Sequence, residues 1–133
     1  MQTVKTGFTE EVAAYLRDHH TLTLSTSSFT GIPHANTAPY VNDTRHLYFF
    51  ARPGSILLGN LDRNHHVEFT VDDYDDHWAK LRELHGNGEC HIARQDERAY
   101  ALGLALDKYR DEMPTGVLCA VRPSGLYFVV YDR

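Results

Sequence analysis

Cysteine is scarce in this chain: two residues in 133, at positions 90 and 119, neither in a C-x-x-C pair. That spacing offers neither a zinc knuckle nor a dithiol redox centre, and both side chains are expected as small buried groups in strands rather than as a disulfide. Cationic residues are also short, 13 Lys and Arg against 18 Asp and Glu for a net charge of −5. A chain of that sign with the acidic run Asp72-Asp73-Tyr74-Asp75-Asp76 repels a polyphosphate, so nucleic acid is not an expected partner. No apolar run is long enough to span a bilayer, and the N-terminal MQTVKTGFTEE lacks the apolar segment of a signal peptide. A soluble cytoplasmic protein is expected, with no membrane partner. Nor is there a composition shift, linker or repeat, and residues 1–133 read as a single domain. A chain of this length buries roughly two-thirds of its unfolded surface, enough for a core without a metal or disulfide.

What is present reads mainly as β structure. Thr9 is placed to cap a short helix, with Glu10 and Glu11 in its first turn and Val12, Tyr15 and Leu16 on one stripe. TLTLSTSS then alternates Leu22 and Leu24 with hydroxyl residues, the period of a half-buried strand, and FTGIP supplies a turn. HANTAPYV and HLYFFA continue as strands joined through the short polar NDTR, and VEFTVDD and WAKLRELHGNGECHIA follow. Gly86-Asn87-Gly88 is expected to bend a long strand, and VLCAVRPSGLYFVVYD to close the chain as a hairpin turned at Pro123-Ser124-Gly125. A helix from Gln95 to Tyr109 is expected to bury Ala99, Leu102, Leu106 and Tyr109, and Pro114 stops it. Six or seven strands with connections this short exclude a doubly wound parallel fold and favour an antiparallel barrel flanked by helices.

Motifs that carry chemistry are few. Nine histidines invite a metal site, but no H-E-x-x-H occurs, and the pairs His19-His20 and His65-His66 would point to opposite faces if extended. His85 and His91 would lie roughly 20 Å apart along a strand, so no metal site is expected. Ser25, Ser27 and Ser28 lack a nucleophile elbow, and the run Asp72 to Asp76 lacks the glycine and glutamate of a calcium loop. Catalytic residues stay unassigned. The remaining feature is LYFFARPGSILLGNL, a strand that stops at Pro53-Gly54-Ser55 and re-enters a helix. Backbone amides of Ile56, Leu57 and Leu58, with the Ser55 hydroxyl, suit an anion, and Arg52 is the nearby cation. The competing reading is that Ser55 caps its own helix, Ile56 to Leu58 are core and Arg52 is a solvated strand end.

The linear order of Gly31-x-Pro33-His34, the Leu47-Tyr48-Phe49 strand, Gly54-Ser55 before a helix ending Asn60-Leu61, and Asn64-x-x-Val67 resembles the pyridoxamine 5′-phosphate oxidase-like split-barrel family, over nearly the whole chain. The resemblance implies a split β-barrel that binds flavin mononucleotide (FMN) at a homodimer interface and an oxidoreductase acting on a small-molecule substrate. It implies that Asn36, Thr37, Ala38 and Pro39 lie along the flavin ring, that Phe50 and Ala51 adjoin it, and that Ser55 faces the phosphate. The second subunit would contribute Trp78 and the neighbourhood of His85, and His34 beside the flavin strand and His85 are candidate proton donors. Two departures stand out. Basic residues usually follow the Gly-Ser, where this chain has Ile56 and Leu57, and the oxidase's basic second-strand positions are here Asn36 and Val41. Pyridoxamine phosphate oxidation itself is therefore not expected, and a deazaflavin, haem, another metabolite, or no ligand stand as alternatives to FMN.

Overall fold

In the computed structural model, which describes residues 2–73, 76–77 and 81–131, β1 (Gln2–Thr6) and α1 (Glu10–Arg17) precede β2 (Thr21–Ser27), β3 (Pro33–Asn42) and β4 (Leu47–Ala51). A short α2 (Ile56–Leu61) leads into β5 (His66–Asp73) and β6 (Arg82–Ile92), and α3 (Gln95–Lys108) into the long β7 (Val117–Val130). Every pairing is antiparallel, in the order β1-β7-β4-β3-β2-β5-β6, and β6 pairs again with β7. That last pairing closes six strands into a barrel and leaves β1 as an added strand.

Alternation decides which face turns inward. Leu22, Leu24 and Thr26 from β2 and Val67, Phe69 and Val71 from β5 point to the interior, with polar neighbours between them facing out. β4 departs from alternation because all five of its residues are buried. Leu47, Phe49 and Ala51 enter the barrel core, while Tyr48 and Phe50 pack outward with Ala101 and Ala105 of α3. A strand covered on both faces reads as a continuous apolar run. Thr9 caps α1 by accepting from the Val12 amide at 3.2 Å, and Val12, Tyr15 and Leu16 join the barrel core. The Tyr40 hydroxyl donates to the Leu16 carbonyl at 2.6 Å, tying α1 to β3. Cys90 and Cys119 are free, buried thiols; a hydrogen bond with Cys119, then burial, pushes the Cys90 thiol far up.

Three expectations change. The closing segment, Val117 to Val130, is a single strand, not a hairpin: β7 stays on β6 from Cys119 to Val130, and the register slips between Asn87 and Gly88. Gly88 makes this possible, since a Cβ there would sit 2.2 Å from the Arg122 carbonyl oxygen. Pairing passes from Gly88↔Pro123 to Asn87↔Gly125, so Ser124 is the extra residue of a bulge and its hydroxyl donates to Asn87 Oδ1 at 3.0 Å. The bulge also changes partners, for β4 lies along residues 117–121 of β7 and β1 along 126–130. β1 is the second difference, a strand of mostly exposed residues with little alternation to announce it. Third, α3 buries Ala101 and Ala105, while Ala99 and Leu106 face solvent. Small side chains let α3 lie close on β3, and of the expected stripe Leu102 and Tyr109 do pack, half-buried, against this cluster.

Two glycine substitutions test this packing. Gly88→Ala should lower stability by about 2–3 kcal/mol in urea unfolding, because the β6–β7 backbones must separate. Gly103→Ala, in α3 with open space around its Cβ, should raise stability by about 0.5–1 kcal/mol. Equal responses would contradict the bulge account.

Candidate functional site

The ladder between β3 and β4 is short, running only from Asn42↔Leu47 to Tyr40↔Phe49. The next β3 residue is Pro39, which has no N–H to extend it. From Pro33 to Pro39, β3 pairs with β2 alone, and its other edge is uncovered. A cleft of about 550 Å³ opens there. One wall is Asn36, Thr37, Ala38 and Pro39; the other is Phe50, Ala51, Arg52 and Pro53 at the end of β4; Ser55, Leu57, Thr115 and Gly116 complete it.

Local chemistry shapes each wall. Arg52-Pro53-Gly54-Ser55 is a turn closed by the Ser55 amide donating to the Arg52 carbonyl at 3.1 Å, with Gly54 at φ 72° as a type II turn requires at that position. Ser55 caps α2, accepting from the Leu58 amide at 3.4 Å. Buried Asn60 anchors the helix by donating to Thr26 Oγ1 of β2 at 3.0 Å. On the far side, Gly116 has φ 137°, and a Cβ on it would come 2.5 Å from the Ala51 carbonyl oxygen. Only glycine allows the segment entering β7 to lie against the end of β4.

The cleft has one ionic side chain, the exposed Arg52, and no carboxylate among its lining residues. Its second electrostatic feature is an orphan, since the Asn36 side-chain oxygen is buried without any donor. A buried acceptor left unpaired costs about 1–3 kcal/mol, so a ligand N–H placed there would be favoured. The arrangement suits a guest with a flat apolar body, an N–H donor and one anionic end.

Nine residues singled out from the sequence meet in this cleft: Asn36, Thr37, Ala38, Pro39, Phe50, Ala51, Arg52, Ser55 and Leu57. Ile56 stands beside it, 63% exposed, which removes it from the core where one reading had placed it. The capping reading of Ser55 holds as geometry. His85 lies outside the cleft of its own chain; its Nε2 is 2.9 Å from Glu83 Oε2 and its ring stacks on Tyr127. His34 is half-buried in β3 and does not line the cleft. Trp78 falls outside the described residues. Pro53, Thr115 and Gly116 also line it; in sequence, Pro53 reads only as part of a turn and Pro114-Thr115-Gly116 only as the end of a helix. Among the described residues, no group of His, Cys, Asp or Glu is arranged to hold a metal ion.

The family model for pyridoxamine 5′-phosphate oxidase matches residues 8–129, and the chain belongs to that family. Among solved structures it is similar to a flavin adenine dinucleotide (FAD)-binding protein from Mycobacterium smegmatis, at 16% identity and TM-score 0.73 over 98% of this chain and 99% of that one. It is similar to the haem storage protein HutZ from Vibrio cholerae, at 17% identity and TM-score 0.70 over 94% and 95% of the two chains. An F420 reductase matches at 23% identity and TM-score 0.64, covering 84% of this chain and 93% of the other. At these identities the likeness shows the fold. No curated protein matches the chain at a significant level.

Asn60→Ala tests how the Ser55 turn is held. Leaving the buried Thr26 hydroxyl unpaired should cost about 1–3 kcal/mol in urea unfolding, and an unchanged midpoint would show that this bond does not anchor α2.

Proposed function

We propose that this chain binds a flavin, FMN in particular, in the cleft between β3 and β4, as a cytoplasmic homodimer, and that it is an oxidoreductase acting on a small organic molecule. The observation that carries this reading is the donorless Asn36 Oδ1 in a cleft whose single ionic group is Arg52. A flavin ring has an imide N–H for that oxygen, and its phosphate would take Arg52 and the Ile56 and Leu57 amides at the start of α2. Ala38, Pro39, Phe50 and Leu57 supply apolar surface that keeps water from the ring. When bound, the flavin supplies the electron or hydride transfer, so the protein's task is shape, exclusion of water and hydrogen bonding. The family match and the flavin named for the Mycobacterium smegmatis structure support the same choice.

Haem binding, named for HutZ, is the second reading. The donor set disfavours it, since no His, Cys, Met or Tyr is among the described residues that line this cleft. A deazaflavin, in line with the F420 reductase, would use the same ring surface. A dimer accords with exposed apolar side chains, Phe29 at 77%, Ile32 at 66% and Ile56 at 63%.

Absorbance of the purified protein separates the readings: a flavin doublet or a Soret band. FMN titration followed by fluorescence should then show saturable binding, weakened about ten- to hundredfold by Arg52→Ala, the loss of one charge-assisted hydrogen bond. A Soret band, or an unchanged affinity in that variant, would overturn the assignment of the cleft.

A further inference from the structure

A second cavity, of about 280 Å³, lies between α1, β3 and α3 and is lined by Arg17, Val41, Asn42, Leu104, Asp107 and Lys108. Lys108 closes α3 and reaches across to the end of α1, donating to the Leu16 carbonyl at 3.2 Å. Its Nζ sits 4.1 Å from the centroid of the Tyr40 ring and 5.8 Å from that of Tyr109. One carbonyl and two ring faces replace little of an ammonium's hydration. Burial accordingly lowers its pKa from 10.5 to about 8, with Asp18 acting in the opposite direction. Arg17 on α1 and Asp107 on α3 are the other charged groups at the cavity.

Asn42 gives a second, independent sign. It is 6% exposed, and its Nδ2 donates to the Ala13 and Asp43 carbonyls at 3.3 and 2.9 Å. Exchanging its amide ends would set oxygen against two carbonyls, so the orientation stands and Oδ1 is buried without a donor. An under-solvated amine and an unpartnered acceptor thus share one cavity, with a cation at its edge.

We propose that Lys108 is a reactive amine and that this cavity captures a small aldehyde bearing a carboxylate. The Nζ lone pair forms a C–N bond as the carbonyl π pair moves to oxygen, and the amine proton passes to that oxygen. The carbinolamine hydroxyl finds its acceptor in Asn42 Oδ1. Asp107 takes the remaining N–H proton and passes it to the hydroxyl, which leaves as water as the nitrogen electrons form the C=N bond, so the product is an imine with no change in oxidation state. Arg17 attracts the carboxylate.

Glyoxylate trapped by cyanoborohydride on the intact protein tests this, because the chain has only Lys5, Lys80 and Lys108. Peptide mapping should find Lys108 labelled about tenfold faster than the exposed Lys5, the gain in neutral amine outweighing its lower basicity. Acetaldehyde, lacking the carboxylate, should show a smaller preference. Equal or slower labelling of Lys108 would overturn the reactive amine, and an equal preference with acetaldehyde would overturn the role of Arg17.

Discussion

The feature on which the rest depends is the early end of the β3–β4 ladder. Three residue pairs hold these strands together before Pro39 interrupts them, and beyond that point each wall goes its own way. β3 continues along β2, while β4 ends in a turn whose conformation rests on one glycine with φ 72°. The gap between them is the cleft. Closure elsewhere compensates for this opening. β6 and β7 pair over their whole shared length, and Gly88 allows the slip that lets one strand serve both β4 and β1. The barrel can be split at the β3–β4 seam because the β6–β7 seam is long.

Energetics follow from the same geometry. With a single arginine at the cleft, an anionic ligand would rely on main-chain amides for much of its hold, without the bidentate geometry of a second guanidinium. Binding of a phosphate would be weak by that measure. On the proposed reading, the orphaned Asn36 oxygen and the apolar walls would favour a ring. A protein built this way would discriminate between ligands by the shape and donors of a planar body, with the anionic end adding less.

Much of this was legible before the structure. Leu22 and Leu24 alternate, Thr9 stands before two glutamates, and NDTR is short, and each observation constrains a local conformation that packing has no reason to override. The cleft residues Asn36 to Pro39 and Phe50 to Ser55 were found through resemblance; periodicity shows a strand there, not its free edge. Three features were hidden for physical reasons. Pro123-Ser124-Gly125 has the composition of a turn, and only Gly88 on another strand makes it a bulge. The buried centre of α3 is Ala101 and Ala105, while Leu102 packs only half-buried and Leu106 faces solvent, so the leucine spacing misplaces the stripe. Gly116 owes its place to the Ala51 carbonyl, a contact spanning more than sixty residues of sequence. Tertiary approach, not local preference, decides all three.

The central claim is that the seam between β3 and β4 is a seat for a planar, anionic guest. A crystal structure of the protein grown with FMN tests it most directly. The account predicts density for the ring against Asn36 to Pro39, with its imide at Asn36 Oδ1 and its phosphate at Arg52 and the start of α2. Density for FMN elsewhere, or a ring turned so that Asn36 Oδ1 still lacks a donor, would contradict it.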